Sequence, residues 1–123
     1  MKIIIAGSRG FSDFDLLKRY IDSFIFSTHD PDIASLHAIV SGTAPGADRL
    51  GEKYAKQRGF LCHKRPANWN KYGKAAGFIR NARMANYADI AIVFWDGESK
   101  GSLHMIKTMR SLNKPCFVVL YNI

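Results

Sequence analysis

Apolar residues fall along this chain in two alternating rhythms. Unbroken runs rich in β-branched residues recur at 2–6, 36–41, 90–95 and 116–121. Their length and composition are those of strands buried on both faces. A more polar run at 60–65 predicts a further strand, nearer a sheet edge. Between these runs the apolar positions repeat at helical spacing. Leu17, Tyr20, Ile21, Phe24 and Ile25 share one face of a helix over 13–27, and Ser12, three residues before Asp15, makes its capping box. Ala47, Leu50, Gly51, Tyr54 and Ala55 line a second helix that stops at Gly59. A third covers 74–87, with Phe78, Ala82 and Ala85 facing inward. A fourth begins near Ser102, buries Leu103, Ile106 and Met109, and is broken at Asn113-Lys114-Pro115. Residues 28–34 and 66–73 read as loops, the second holding Trp69 and Tyr72.

Strands alternating with helices imply a parallel sheet covered on both faces. Right-handed crossovers then give an α/β, Rossmann-like, three-layer domain with five strands in the order 3-2-1-4-5. The whole chain, 1–123, reads as one such domain.

In that order the winding reverses between the first and fourth strands, and the crevice outside their carboxyl ends is the expected ligand site. Glycine-rich turns follow three strands: Gly7-Ser8-Arg9-Gly10, Gly42 to Asp48, and Asp96 to Ser102. Each leads into a helix N-terminus, where backbone N–H groups and the helix dipole favour an anion. Glycine lets backbone approach a ligand, and Ser8, Thr43, Ser99 and Ser102 add hydroxyls. The expected binding set is therefore Gly7, Ser8, Arg9, Gly42, Thr43, Gly46, Ala47, Asp48, Gly97, Ser99, Lys100, Gly101 and Ser102. Arg80 and Arg83, three apart on the third helix, add forked donors suited to phosphate, and Asn81 lies between them. These three are read near the middle of that helix rather than at the sheet's carboxyl edge.

Charge sharpens the choice of ligand. The net charge is +8, and residues 49–83 carry ten Lys or Arg against the single acid Glu52. An anionic partner follows: a nucleotide, a nucleic acid or an acidic protein. No run is long enough to span a membrane, and the first residues lack a signal-peptide core, so a cytoplasmic location is expected. Cys62 and Cys116 read as buried reduced thiols without metal-ligand spacing. The dinucleotide fingerprint Gly-x-Gly-x-x-Gly, the P-loop ending and the nucleophile elbow are all missing.

Taken together, Val40 to Arg49, Ile79 to Ala85, Ala88-Asp89 and Gly97-x-Ser99-Lys100-Gly101-Ser102-x-His104 resemble the SLOG superfamily. That superfamily groups DprA/Smf DNA-processing proteins with LOG phosphoribohydrolases, and the YspA-like branch, opening on Gly-Ser-Arg, is the nearest match. The resemblance implies a nucleotide or nucleotide-derived ligand, with no certain cofactor beyond it. It also implies a homo-oligomer, a dimer as first expectation, and nucleic acid as a possible partner. LOG enzymes carry a glutamate two positions beyond the match to Ser102, where this chain has His104. Asp48, Glu98 and His104 are the catalytic candidates left for N-glycosidic hydrolysis. A sensor or sequestering role needs none of them.

Overall fold

The structure, a computed structural model, describes residues 1–28 and 37–121. The elements follow as β1 (Lys2–Gly7), α1 (Phe14–Thr28), β2 (Ala38–Ser41), α2 (Ala47–Arg58), β3 (Leu61–Lys64), α3 (Trp69–Tyr72), α4 (Ala76–Tyr87), β4 (Ile90–Trp95), α5 (Lys100–Ser111) and β5 (Cys116–Leu120). All strand pairs are parallel, in the order β3-β2-β1-β4-β5 expected from the sequence. The loop read over 28–34 and the start of the second strand at Leu36 lie outside the described residues, apart from Thr28.

Side chains on a strand alternate between the two faces of its sheet. On β1, Ile3 and Ile5 join Leu17, Ile21, Ile39, Tyr54 and Phe94 in a core beneath α1 and α2. Ile4 and Ala6 join Val40, Met84, Val93, Met105 and Ile106 beneath α4 and α5. The three isoleucines of β1 are fully buried. Each contributes about 1.5–3 kcal/mol relative to an exposed side chain. That makes β1 the spine of both cores and fixes the switch point beside β4.

Several local readings are corrected. Asp13, not Ser12, caps α1: its Oδ1 accepts the Leu16 N–H at 3.0 Å. The Asp13 carboxylate already sits where the first turn needs an acceptor. The loop after β3 winds into the short helix α3 and a 3-10 turn over Gly73–Ala75, with Asn68 capping through the Lys71 N–H. Phe78 points outward and is 47% exposed, while Ala76, Asn81, Met84 and Ala85 form the buried stripe of α4. Ala82 and Leu103 are only half-buried. So are Cys62 and Cys116, both free thiols on the edge strands. Helix α5 begins at Lys100 because Ser99, three residues ahead of the predicted start near Ser102, supplies the cap.

The lower end of α4 is held by a cation. Lys114 Nζ donates to the carbonyls of Ala85, Asn86 and Ala88 at 2.7–2.9 Å. Those are acceptors that a helix C-terminus leaves without intrahelical partners. With that end fixed, the upper half of α4 is delivered to the carboxyl edge of the sheet.

Candidate functional site

Ser8 joins the three glycine-rich turns. Its N–H donates to Phe94 O at 2.9 Å, and its Oγ accepts the Asp96 N–H at 3.1 Å. Its own carbonyl accepts from Phe11 at 3.1 Å and from Ala47 at 3.4 Å. Buried at 2% exposure, Ser8 is a fastener between the turns and does not line the cavity they enclose.

Gly42 and Gly46 serve the same assembly. A Cβ on Gly46 would stand 2.4 Å from Ser8 O, and one on Gly42 would stand 2.7 Å from Arg80 Nη1. Gly46 also has φ +83, a left-handed value that a side chain resists. Gly10 and Gly101 differ: a Cβ on either meets nothing within 4 Å, and both line the cavity. Close backbone approach in the first two turns is therefore protein against protein. The open glycines are the ones that leave room for a ligand.

The cavity is a crevice of about 440 Å³ at the switch point between β1 and β4. Its floor includes Gly7, Asp48 and Met84, and α5 contributes Lys100, Gly101, Ser102 and Met105. Ser99 Oγ accepts the Ser102 N–H at 3.4 Å and donates to Ser102 Oγ at 2.7 Å. Among the described residues, that cap leaves the N–H groups of Lys100 and Gly101 pointing out of the helix end without a protein partner, as first-turn donors do. Asp96 shapes the turn before it, its Oδ1 accepting from Glu98 and Ser99 at 2.9 Å each. Those backbone bonds hold the Asp96 carboxyl below its ordinary range.

Helix α4 supplies the opposite wall. Arg80 Nη1 donates to Gly42 O at 2.5 Å and Nε to Asn81 Oδ1 at 2.9 Å. Asn81 Nδ2 donates to Gly101 O at 3.2 Å. Arg80 and Asn81 thus lie at the carboxyl edge, contrary to the mid-helix placement read from sequence. The helix runs antiparallel to the strands, so its first half is the upper half. Burial draws the Arg80 pKa down, and Asp48 opposes that.

Asp48 sits beneath them, 5% exposed, its Oδ2 accepting the Ala44 N–H at 3.1 Å. Burial pushes its pKa up to about 6, although Ala44 and Arg80 both pull it down. Nearby, Thr43 is held at φ +66, an unusual state for a β-branched residue, with its N–H on Ser41 Oγ at 3.1 Å. Arg9, Lys74, Arg80 and Lys100 face Asp48 and Asp96 across the crevice, leaving a cationic excess.

Of the residues read from sequence, Gly7, Arg9, Asp48, Arg80, Asn81, Ser99, Lys100, Gly101 and Ser102 line this crevice. Ser8, Gly42, Thr43, Gly46, Ala47 and Gly97 stand behind it as support or turn residues. Arg83 belongs to a second cavity, where Nη2 donates to Tyr72 OH at 3.0 Å. Of the catalytic candidates only Asp48 lines the crevice. Glu98 is exposed on the outer turn. His104 stacks on Phe78 at 4.3 Å with 14° between the rings, and burial lowers its pKa. Sequence reasoning missed Lys74, Phe78, Met84 and Met105 as wall residues. Trp69, placed by the sequence only in a loop, is 52% exposed on the rim. Among the described residues no group of three or more His, Cys, Asp or Glu is placed to hold a metal ion.

A sequence model of the YspA, cpYpsA-related SLOG family matches residues 1–72. The chain belongs to that SLOG family. The match takes in β1, α1, β2 and α2, and so the first two turns and Asp48. No curated protein matches the sequence. Among solved structures, DNA processing protein A (DprA) from Streptococcus pneumoniae is similar, with TM-score 0.74 and 19% identity. The alignment covers 99% of this chain and 51% of that one, so this SLOG chain spans about half the length of its structural neighbour. At that identity the likeness establishes the shared Rossmann-like fold. No described helix is long and apolar enough to cross a membrane.

Proposed function

We propose that the crevice binds a nucleotide or nucleotide-derived ligand through its ribose-phosphate, and that the protein acts as a sensor or sequestering module. The observation that carries this is the pairing of two kinds of surface in one crevice. The N-terminus of α5 and the cations Arg9, Lys74, Arg80 and Lys100 suit a phosphate. Trp69 and Phe78, both about half exposed on the wall, suit a planar base. Inorganic anions would use the first surface and leave the second idle. Family membership supports the same reading.

A second reading, nucleotide N-glycosidase, is favoured by one feature. Asp48, with its pKa pushed up to about 6, is a carboxyl able to hold or release a proton near neutral pH inside the crevice. No carboxylate stands two positions beyond Ser102, and His104 faces Phe78, so Asp48 would act without the glutamate of LOG enzymes. The similarity to a DNA processing protein raises single-stranded nucleic acid as a third ligand class.

A thermal-shift screen separates them. Nucleoside monophosphates, cyclic nucleotides and ADP-ribose are compared with their parent nucleosides and with inorganic phosphate. A ligand at a hundred times its Kd adds about 2.7 kcal/mol of apparent stability, so Tm should rise by several degrees. The nucleotide is expected to exceed both of its halves. A flat screen sinks the binding reading. Base release detected by chromatography, and lost in Asp48→Asn, would move the protein to the enzyme class. A preference for oligonucleotides that falls steeply with salt would move it to the nucleic-acid class.

A further inference from the structure

Beside the crevice lies a second cavity of about 140 Å³, and it is lined by three arginines. Arg65, Arg80 and Arg83 converge there with Tyr72 and Asn68, and no carboxylate is part of the lining. Among the described residues the ion pairs are Arg49–Glu52, Arg58–Asp22 and Lys64–Glu52, so none of the three guanidiniums is paired. Asp48, which acts on Arg80 through space, lines the crevice and not this cavity.

The cavity is built and not left by chance. The Arg65 N–H donates to Ser41 O at 2.7 Å, and Arg80 donates to Gly42 O, so both are tied to the end of β2. Arg65 rests over the Tyr87 ring at 4.7 Å, and Arg83 is held by the Tyr72 hydroxyl. That hydroxyl is made more acidic chiefly by its bond to Arg83, a mark of the local positive field. Three like charges around one hollow, two of them on exposed side chains, draw an anion towards it. The space would hold about four or five waters at roughly 30 Å³ each, room for one phosphate group.

Arg80 lines both cavities, so the two adjoin at its side chain. We infer that the second cavity takes a second phosphate of the same ligand, and that the ligand is a nucleotide bearing two separated phosphate groups. This rests on the nucleotide reading of the crevice and narrows it. The second group is either a terminal monoester, as in a 3′,5′-bisphosphate, or a phosphodiester, as in a dinucleotide.

Isothermal titration at fixed salt tests this with adenosine 5′-monophosphate, adenosine 3′,5′-bisphosphate and the dinucleotide pApA. At least one two-phosphate ligand is expected to bind about tenfold or more tighter than the monophosphate, the effect of one charge-assisted contact. The ligand that gains tells a monoester from a diester. Arg83→Gln should abolish the gain, and Arg83→Lys, which keeps charge but not the fork, should restore part of it. Melting curves confirm that both variants fold. Equal affinity of the monophosphate and both two-phosphate ligands overturns the inference and leaves the crevice reading intact, as does a gain that survives Arg83→Gln. Absence of binding by all three ligands overturns both.

Discussion

Replacing Gly7 with Ala is expected to remove a large part of the stability of the fold. Gly7 pairs with Phe94 at the top of the central strands. A Cβ there would stand 2.1 Å from Phe94 O and 2.9 Å from Ala47 Cβ. Phe94 O also accepts the Ser8 N–H at 2.9 Å, so β4 cannot retreat without losing that bond and loosening Ser8. Ala47 begins α2 and is fully buried, so it cannot yield either. The φ of +155 adds strain for any side chain. A loss of about 4 kcal/mol or more is expected, against the 5–15 kcal/mol typical of a whole domain. Gly10→Ala is the control, because its Cβ meets nothing within 4 Å. It should change stability by no more than about 0.5 kcal/mol. Urea unfolding of both variants decides it, and a Gly7→Ala protein within 1 kcal/mol of the native one, a margin of about one ordinary point mutation, would refute the packing account.

The second large effect depends on pH. Asp48 holds its proton to about pH 6 in the fold, against 3.8 for the ordinary side chain. Below pH 3.8 it is protonated in both states and contributes nothing to the difference between them. Between those values the unfolded chain releases the proton while the fold retains it, so stability falls as pH rises. Above pH 6 the penalty is fully developed, at about 3 kcal/mol for a shift of roughly two units. Asn cannot ionise. The stability of Asp48→Asn relative to the native protein is therefore expected to climb by about 3 kcal/mol from about pH 3 to pH 7 and then level off. Titrations of other groups cancel in that difference. A gap that stays constant with pH would mean that Asp48 is not held in a desolvating site. The arrangement has a functional consequence too. A carboxyl that readily takes a proton need not repel an arriving phosphate, so binding should tighten as pH falls towards 6.

The architecture was legible because its cause is local. Short, β-branched continuous runs such as Ile3-Ile4-Ile5 and Ala91-Ile92-Val93 favour strands buried on both faces, and their alternation with helices leaves few parallel topologies. The convergence of three turns also followed, since strand order alone brings their ends together. Details that depend on facing partners did not. Periodicity cannot tell that Phe78 leaves the core for the crevice, because the position opposite it is filled by His104 from another helix. Nor does spacing show that Arg80 lines both cavities while Arg83, on the same helix face, lines only the second. Glycines were readable as special, but not what approaches them. For Gly7, Gly42 and Gly46 it is the protein's own atoms, whereas Gly10 and Gly101 stay open. Ser8 looked like a ligand hydroxyl because its neighbours are polar; its bonds to Phe94, Ala47 and Asp96 make it a structural fastener.

The central claim is that a nucleotide phosphate sits at the α5 N-terminus while the base lies against Trp69 and Phe78. Amide chemical shifts recorded while adenosine 5′-monophosphate is titrated into the protein read this directly. The largest saturable shifts are expected at Gly10, Asn81, Gly101 and Ser102, with the Trp69 indole moving as well, and adenosine alone should leave Gly101 and Ser102 unmoved. Shifts confined to the basic outer face of α2 around Lys53 and Lys56, or no saturable shift at Gly101 and Ser102, would contradict it.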